Sequence, residues 1–254
     1  MNPKETELVS GQIEGRNPVL EALRSGRTIN RILVAKGARE GSIREVIALA
    51  RSQGVIVQEV ARERLDAMAR GRNHQGVIAL AAAHRYYDLD EVLERAAASG
   101  EDGLLLVLDG IEDPQNLGSL LRTADAAGVH GVIIPERRAV GLTETVAKVS
   151  AGAVEYVPVA RVTNIARTLE MLKERGYWVV GTHQEADELY YEARLTGPLA
   201  VVIGSEGRGM SRLVAETCDF TVRLPMRGHV TSLNAAVAGA ILLYEVRRQR
   251  SAGA

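Results

Sequence analysis

Three stretches of the sequence place polar residues where apolar runs end, the arrangement that lets a fold present a few side chains to a ligand. The first, DGIEDPQNLGSLLRTADAAG (109–128), reads as a strand end, a polar turn with Pro114, and a helix whose apolar stripe is Leu117, Leu120, Leu121, Ala124 and Ala127. Arg122 falls off that stripe, so it points to solvent, a ligand or another chain. Asn116 opens the helix and has a plainer alternative as its N-cap. The second stretch, VVIGSEGRGM (201–210), runs a buried strand into Gly204, Gly207 and Gly209 around Glu206. Such a turn lets backbone approach a ligand closely and presents N–H groups to an anion or carboxylate. The third, LPMRGHVTSLNAAVAGAILLYEV (224–246), ends a strand at Leu224 and carries Arg227, Gly228 and His229 in a loop. Thr231 or Ser232 then caps a long apolar helix, and Asn234 stands in its first turn, where asparagine is a poor helix former and a binding role explains it better.

The elements needed to position these residues alternate along the chain. Between Gly103 and Arg250 the expected order is strand 103–109, helix 116–127, strand 131–135, helix 142–149, strand 154–159, helix 163–175, strand 177–181, strand 198–203, helix 209–215, strand 219–224 and helix 232–249. This pattern makes a parallel α/β domain. Its ligands belong in the crevice at the carboxyl ends of the strands, so the loops after Asp109, Ile203 and Leu224 are the places to look. Upstream, a helix from Asn17 to Leu23, strands at 31–35, 55–60 and 75–82, and helices at 42–53 and 62–69 form a smaller α/β unit. Residues 1–14 read as a loose tail and 85–100 as a polar helical connector capped by Asp88. The division expected is a tail at 1–14, a first domain at 15–84, a linker helix at 85–100 and a second domain at 101–254.

Composition narrows the function. With 254 residues, 46% hydrophobic and 25% charged, the chain is an ordinary globular protein. Its net charge of −1 excludes a uniformly basic coat, yet residues 1–88 carry 14 basic and 10 acidic side chains, net +4, and the remainder is net −5. Only Lys4, Lys36, Lys148 and Lys173 among 31 basic residues are lysine; arginine suits bidentate phosphate contacts, and a GC-rich genome gives the same bias. A lone cysteine, Cys218, forbids an intrachain disulfide and a cysteine-based zinc site, and fits a reducing cytoplasm. No apolar run reaches the roughly 18 residues of a membrane helix, and the polar start is unlike a signal peptide. The five histidines, His74, His84, His130, His183 and His229, do not fall at ligand spacing, so no metal is expected. The dinucleotide G-x-G-x-x-G, the P-loop, H-E-x-x-H and G-x-S-x-G patterns are all absent. At 4%, aromatic content argues against a base-stacking platform.

N-x-G-x-x-x-R at a helix start, G-x-E-G-x-G after a buried strand and S-L-N ahead of the last helix, in that order, resemble the three motifs of the SpoU (TrmH-like) branch of the SPOUT RNA methyltransferases. GRNPVLEAL (15–23) and RNHQGVIAL (72–80) are similar to the RNA-binding domain that precedes the catalytic domain in the 23S rRNA guanosine 2′-O-methyltransferase subgroup. The resemblance implies a catalytic domain with a deep trefoil knot, an exception to the general rule against knots, preceded by a small α/β RNA-binding domain of the ribosomal L30e-like kind. It implies S-adenosylmethionine bound at Thr182, Gly204, Glu206, Gly207, Gly209, Leu224, Met226 and Leu233, a homodimer with the active site at the subunit interface, and methyl transfer to a ribose 2′-hydroxyl of large-subunit rRNA. Arg122 would activate the hydroxyl or bind the adjacent phosphate. Asn116 would orient Arg122 or the nucleotide, Glu206 would hold the substrate end of the pocket, and Ser232 with Asn234 would anchor the methionine side of the cofactor or the phosphate. Arg16, Arg70, Arg72 and His74 would contact RNA. A tRNA 2′-O-methyltransferase and a catalytically inactive RNA-binding relative are the alternatives.

Overall fold

The computed structural model describes residues 11–252 except 25, 39, 40, 70–72 and 83. The chain divides into two compact units, one running to Arg85 and including Gly141–Glu144, the other made of Tyr86–Val140 and Thr145–Ala254.

In the first unit β1 (Gln12–Glu14), α1 (Arg16–Arg24), β2 (Ile29–Ala35), α2 (Ser42–Ser52), β3 (Ile56–Val60), α3 (Arg62–Met68) and β4 (Val77–Ala81) build a sheet of order β1-β4-β2-β3. Strand β2 is apolar on both faces because helices cover both. Ile32 and Val34 pack with Val19, Leu23, Ile43 and Val46 of α1 and α2, while Leu33 and Ala35 pack on Leu65 of α3. The loose tail expected over 1–14 is corrected at its end: Gln12, Ile13 and Glu14 pair antiparallel with Leu80, Ala79 and Ile78. Three residues are too few to show a period of two. The turn into α1 is made at Gly15, whose φ of 96° few other residues adopt.

The second unit opens with α4 (Leu89–Ala98). The helix expected as a connector is part of this unit: Val92 and Leu93 lie in the same buried cluster as Leu105, Val107, Ala160 and Leu169. Its polar outer face hid an inner face of only three buried residues, Val92, Leu93 and Ala96. The backbone N–H of Asp88 donates to the Glu91 carboxylate (3.1 Å), as in a capping box.

Then follow β5 (Leu104–Asp109), α5 (Pro114–Ala126), β6 (Gly131–Pro135), α6 (Glu144–Val149), a 3-10 turn (Ala153–Glu155), β7 (Val159–Val162), α7 (Ile165–Glu174), β8 (Trp178–Thr182), β9 (Glu188–Leu189), β10 (Leu199–Gly204), α8 (Arg212–Thr217), β11 (Phe220–Arg223) and α9 (Ala235–Ala252). Every strand pair of this sheet is parallel and its order is β7-β6-β5-β10-β8-β11-β9. The wholly buried β10 lies between β5 and β8, which sets Gly204 beside Asp109. The strand expected at 154–159 is instead the 3-10 turn followed by β7, because Pro158 has no N–H for a ladder and suits only a strand's start. Helices α5 and α9 pack together closely enough that a Cβ on Gly239 would stand 2.6 Å from Leu120 Cδ2.

Candidate active site

Asp109, Gly204 and Arg223 end β5, β10 and β11 on the same side of the parallel sheet, where the loops leave a cleft of about 670 Å³. The loop after β10 is closed by paired backbone bonds, Ser205 N–H to Gly209 O (3.0 Å) and Gly209 N–H to Ser205 O (2.8 Å). Its glycines are required by geometry. A Cβ on Gly204 would lie 2.1 Å from both the Gly209 carbonyl carbon and the Met210 nitrogen, and Gly207 and Gly209 have φ of 77° and 66°. Asp109 fixes the far end, its carboxylate accepting from the Ser211 N–H at 2.6 Å. Beneath the loop burial pushes the Cys218 thiol up to about 12, helped by the Asp219 charge.

The second and third motifs meet the first at one carboxylate oxygen. Glu206 Oε1 accepts from Asn116 Nδ2 (2.9 Å) and from the backbone N–H of Ala235 (3.3 Å), and also from Asn234 Nδ2. Asn234 Nδ2 donates to Asn116 Oδ1 as well (2.8 Å). Asn116 is not the cap of α5. Asp113 takes that place, accepting from Gln115 N–H at 2.9 Å with Pro114 in the first turn. Asn116 is therefore free to turn inward, and only 7% of it is exposed. Neither Thr231 nor Ser232 caps α9 either. Asn234 does, its Oδ1 accepting from the N–H groups of Ala236 (2.9 Å) and Val237 (3.2 Å). The residue that sequence reasoning marked as a poor helix former is the helix's terminus, and its amide nitrogen is left over for Glu206.

Thr182, Gly204, Glu206, Gly207, Gly209, Leu224, Met226, Ser232 and Leu233 all line the cleft. Arg122 does not: it is exposed on α5 with no hydrogen-bond or ion-pair partner among the described residues. Sequence reasoning missed Asp109 as the clamp of the glycine loop, although a carboxylate ending an apolar strand was a signal, and it missed the wall formed by His183 and Glu185.

In the first unit Arg16 donates from Nε to Gln75 O (3.0 Å) and is half-exposed. Arg70 and Arg72 lie outside the described residues. His74 is corrected: it is 5% exposed, its Nδ1 accepts from Gly76 N–H (3.1 Å), and its Nε2 therefore donates to Asp66 Oδ1 (2.8 Å). A ring so enclosed holds the turn before β4 and has no nitrogen left for a phosphate.

Residues 103–244 match the SpoU rRNA Methylase family. The chain belongs to that family. Residues 12–87 match a second family, the RNA 2′-O ribose methyltransferase substrate-binding domain. A Bacillus subtilis protein assigned to the TrmH family of tRNA/rRNA methyltransferases, YacO, is 54% identical to this SpoU chain over 93% of it and 95% of that protein. The AdoMet-bound rRNA methyltransferase of Sinorhizobium meliloti is 28% identical with a TM-score of 0.60, over 94% of this chain and 87% of that one. The TrmH/SpoU tRNA-modifying enzyme of A. aeolicus is 28% identical with a TM-score of 0.55, over 65% of this chain and 85% of that one.

The cofactor of this SpoU chain is S-adenosylmethionine, and the cleft fits it. The cradle at Gly204 is one that any Cβ would fill, and the lining mixes apolar Leu224, Met226 and Leu233 with exposed backbone of the glycine loop. Among the described residues no group of three or more His, Cys, Asp or Glu could hold a metal ion, and no helix is long and apolar enough to cross a membrane.

Proposed function

We propose that this enzyme methylates the 2′-hydroxyl of a guanosine in the peptidyl-transferase region of 23S rRNA. The observation that carries a catalytic rather than a merely RNA-binding reading is the convergence of Asn116 and Asn234 on one carboxylate oxygen of Glu206 at the edge of the glycine cradle. A chain that had lost activity has no reason to keep three polar side chains from distant segments in register. Ribosomal rather than transfer RNA is favoured by the extent of the likenesses: the Sinorhizobium rRNA enzyme covers nearly all of this chain, the A. aeolicus tRNA enzyme 65% of it. The unit at 15–84 is then the RNA-binding domain, with Arg16, Arg70 and Arg72 as its phosphate contacts, and 101–254, with α4 packed on it, is the catalytic domain.

The sulfonium of S-adenosylmethionine supplies a methyl group ready for displacement. The ribose 2′-oxygen would take that methyl group, leaving S-adenosylhomocysteine as the product, and the hydroxyl proton would pass to a base or to water. Glu206, one oxygen of which is held by three donors, holds the substrate end of the cleft. Ser232, exposed in the lining, anchors the methionine side, while Asn234 holds Glu206 and the start of α9 in place. Arg122 positions the phosphate beside the target ribose: the planar fork of a guanidinium suits bidentate phosphate contact, and this one stands exposed on α5.

Such a placement fits a homodimer that completes the site across its interface. Val237 and Tyr244 on α9 are 47% and 54% exposed, with half-buried Ala240 and Ile241 between them, an apolar stripe suited to a second copy. The order β5-β10-β8-β11, with α9 returning to α5, supports the deep trefoil knot of the family. A cytoplasmic location follows from the substrate. The test is methyl transfer from labelled S-adenosylmethionine to unmodified 23S rRNA, 16S rRNA and bulk tRNA, with Arg122→Ala as control. Label on a 2′-oxygen of 23S rRNA alone, lost in the variant, is expected; label on tRNA overturns the ribosomal assignment, and none on any RNA overturns the enzyme.

A further inference from the structure

The cleft has two loops whose cations are unused. Arg208 stands in the glycine loop and Arg227 between the cleft-lining residues Met226 and Gly228. Both are exposed and neither has a hydrogen-bond or ion-pair partner among the described residues. His229 adds a third exposed donor on the same loop, also without a partner there. Three other exposed arginines of this unit are engaged, Arg175 with Asp90 (2.7 Å), Arg212 with Glu216 (3.1 Å) and Arg248 with Glu245 (2.7 Å), whereas Arg208 and Arg227 are set apart by standing on the loops that form the cleft.

Resting on the reading above, we infer that Arg208 and Arg227 form a phosphodiester-binding rim that seats the RNA backbone on either side of the target nucleotide over the mouth of the cleft. Charge distribution points the same way. The segment from Leu89 onward is net −5, so a polyanion is repelled by the unit at long range and must be received by a local patch. Glu185 lines the cleft from the loop after β8, Glu206 is held inward by its donors, and the loop after β11 carries Arg227 and His229 with no carboxylate. A guanidinium on a backbone-braced loop suits a phosphate, which it grips with two parallel N–H groups. Backbone contacts of this kind fix register without reading sequence.

The experiment measures binding of a 23S rRNA transcript by the full-length protein against salt, and S-adenosylmethionine binding by calorimetry, for wild type, Arg208→Gln, Arg227→Gln and the pair. Each substitution is expected to flatten the slope of log K against log salt by about 0.7 to 0.9, the pair by about twice that, with cofactor affinity and thermal midpoint unchanged. Weaker cofactor binding with an unaltered RNA slope would mean that the arginines hold the methionine carboxylate, and overturns the rim. Unaltered slope and unaltered cofactor binding overturn it too. Failure of the catalytic reading itself registers separately, as wild type that binds RNA and cofactor but transfers no methyl group.

Discussion

Removing the Glu206 carboxylate isolates what the convergent oxygen contributes. Counting its three donors at the 1.5–3 kcal/mol of a charge-assisted hydrogen bond would suggest a loss of about 5 kcal/mol or more. Burial argues for less. Asn234 is open to water and regains a partner there, whereas the Asn116 amide and the Ala235 N–H, on residues 7% and 4% exposed, are stranded. One stranded buried donor costs about 1–3 kcal/mol, and of the two here the Ala235 bond, at 3.3 Å, is the weaker, so Glu206→Ala should cost about 3 kcal/mol. Asn116→Ala in that background should cost little more, giving a coupling of about 1–1.5 kcal/mol between the two positions. Scanning calorimetry with and without S-adenosylmethionine provides the assay: the transition that the cofactor raises belongs to the second unit, and in it Glu206→Ala lowers the midpoint by several degrees. Losses from the two single variants that add to within about 0.5 kcal/mol in the double variant would refute the network as the element joining the motifs.

Three further outcomes follow from the same geometry. Gly204→Ala, with its Cβ 2.1 Å from backbone on both sides, should abolish cofactor binding by calorimetry while the first unit's thermal transition stays in place. For Arg122→Lys, a positioning role predicts reduced turnover with no new ionisation in the pH–rate profile; a new limb in that profile would make Arg122 the base. Cys218, with its thiol raised to about 12, should resist alkylation at pH 8 in the folded protein and react freely in urea. Because the folded state keeps this proton longer than the unfolded chain does, its contribution to stability is complete below the ordinary thiol value and is lost as pH rises toward about 12. Cys218→Ser should flatten that alkaline decline.

The alternation of elements in the second unit was legible because each helix carries its own stripe and each central strand is a continuous apolar run, as in LLLVLD of β5 and LAVVIG of β10. The site was legible as three separate motifs. What the sequence could not carry was their mutual geometry: that Asp113 rather than Asn116 caps α5, and that Asn234 both caps α9 and donates to Glu206, depends on groups up to 118 positions apart. Short elements were lost for the opposite reason, as β1 and β9 contain too few residues to be periodic. His74 misled because a histidine just after two arginines looks like a phosphate ligand until its ring is seen enclosed by Asp66 and Gly76.

The central place of β10 in the sheet also bears on how the protein is made. Strand β5 leaves the ribosome well before its neighbour β10, and Asn116 is made 118 positions before the Asn234 it will meet. At 5–20 residues per second that gap lasts about 6 to 24 s. For part of it β5 and β8 each present an unpaired apolar edge to the surroundings, the condition in which nascent sheets aggregate. A chain truncated before Asn234 would hold every strand of the sheet and still lack two of the three donors that fix Glu206, so synthesis of the last helix is the event that turns a finished sheet into a working cleft.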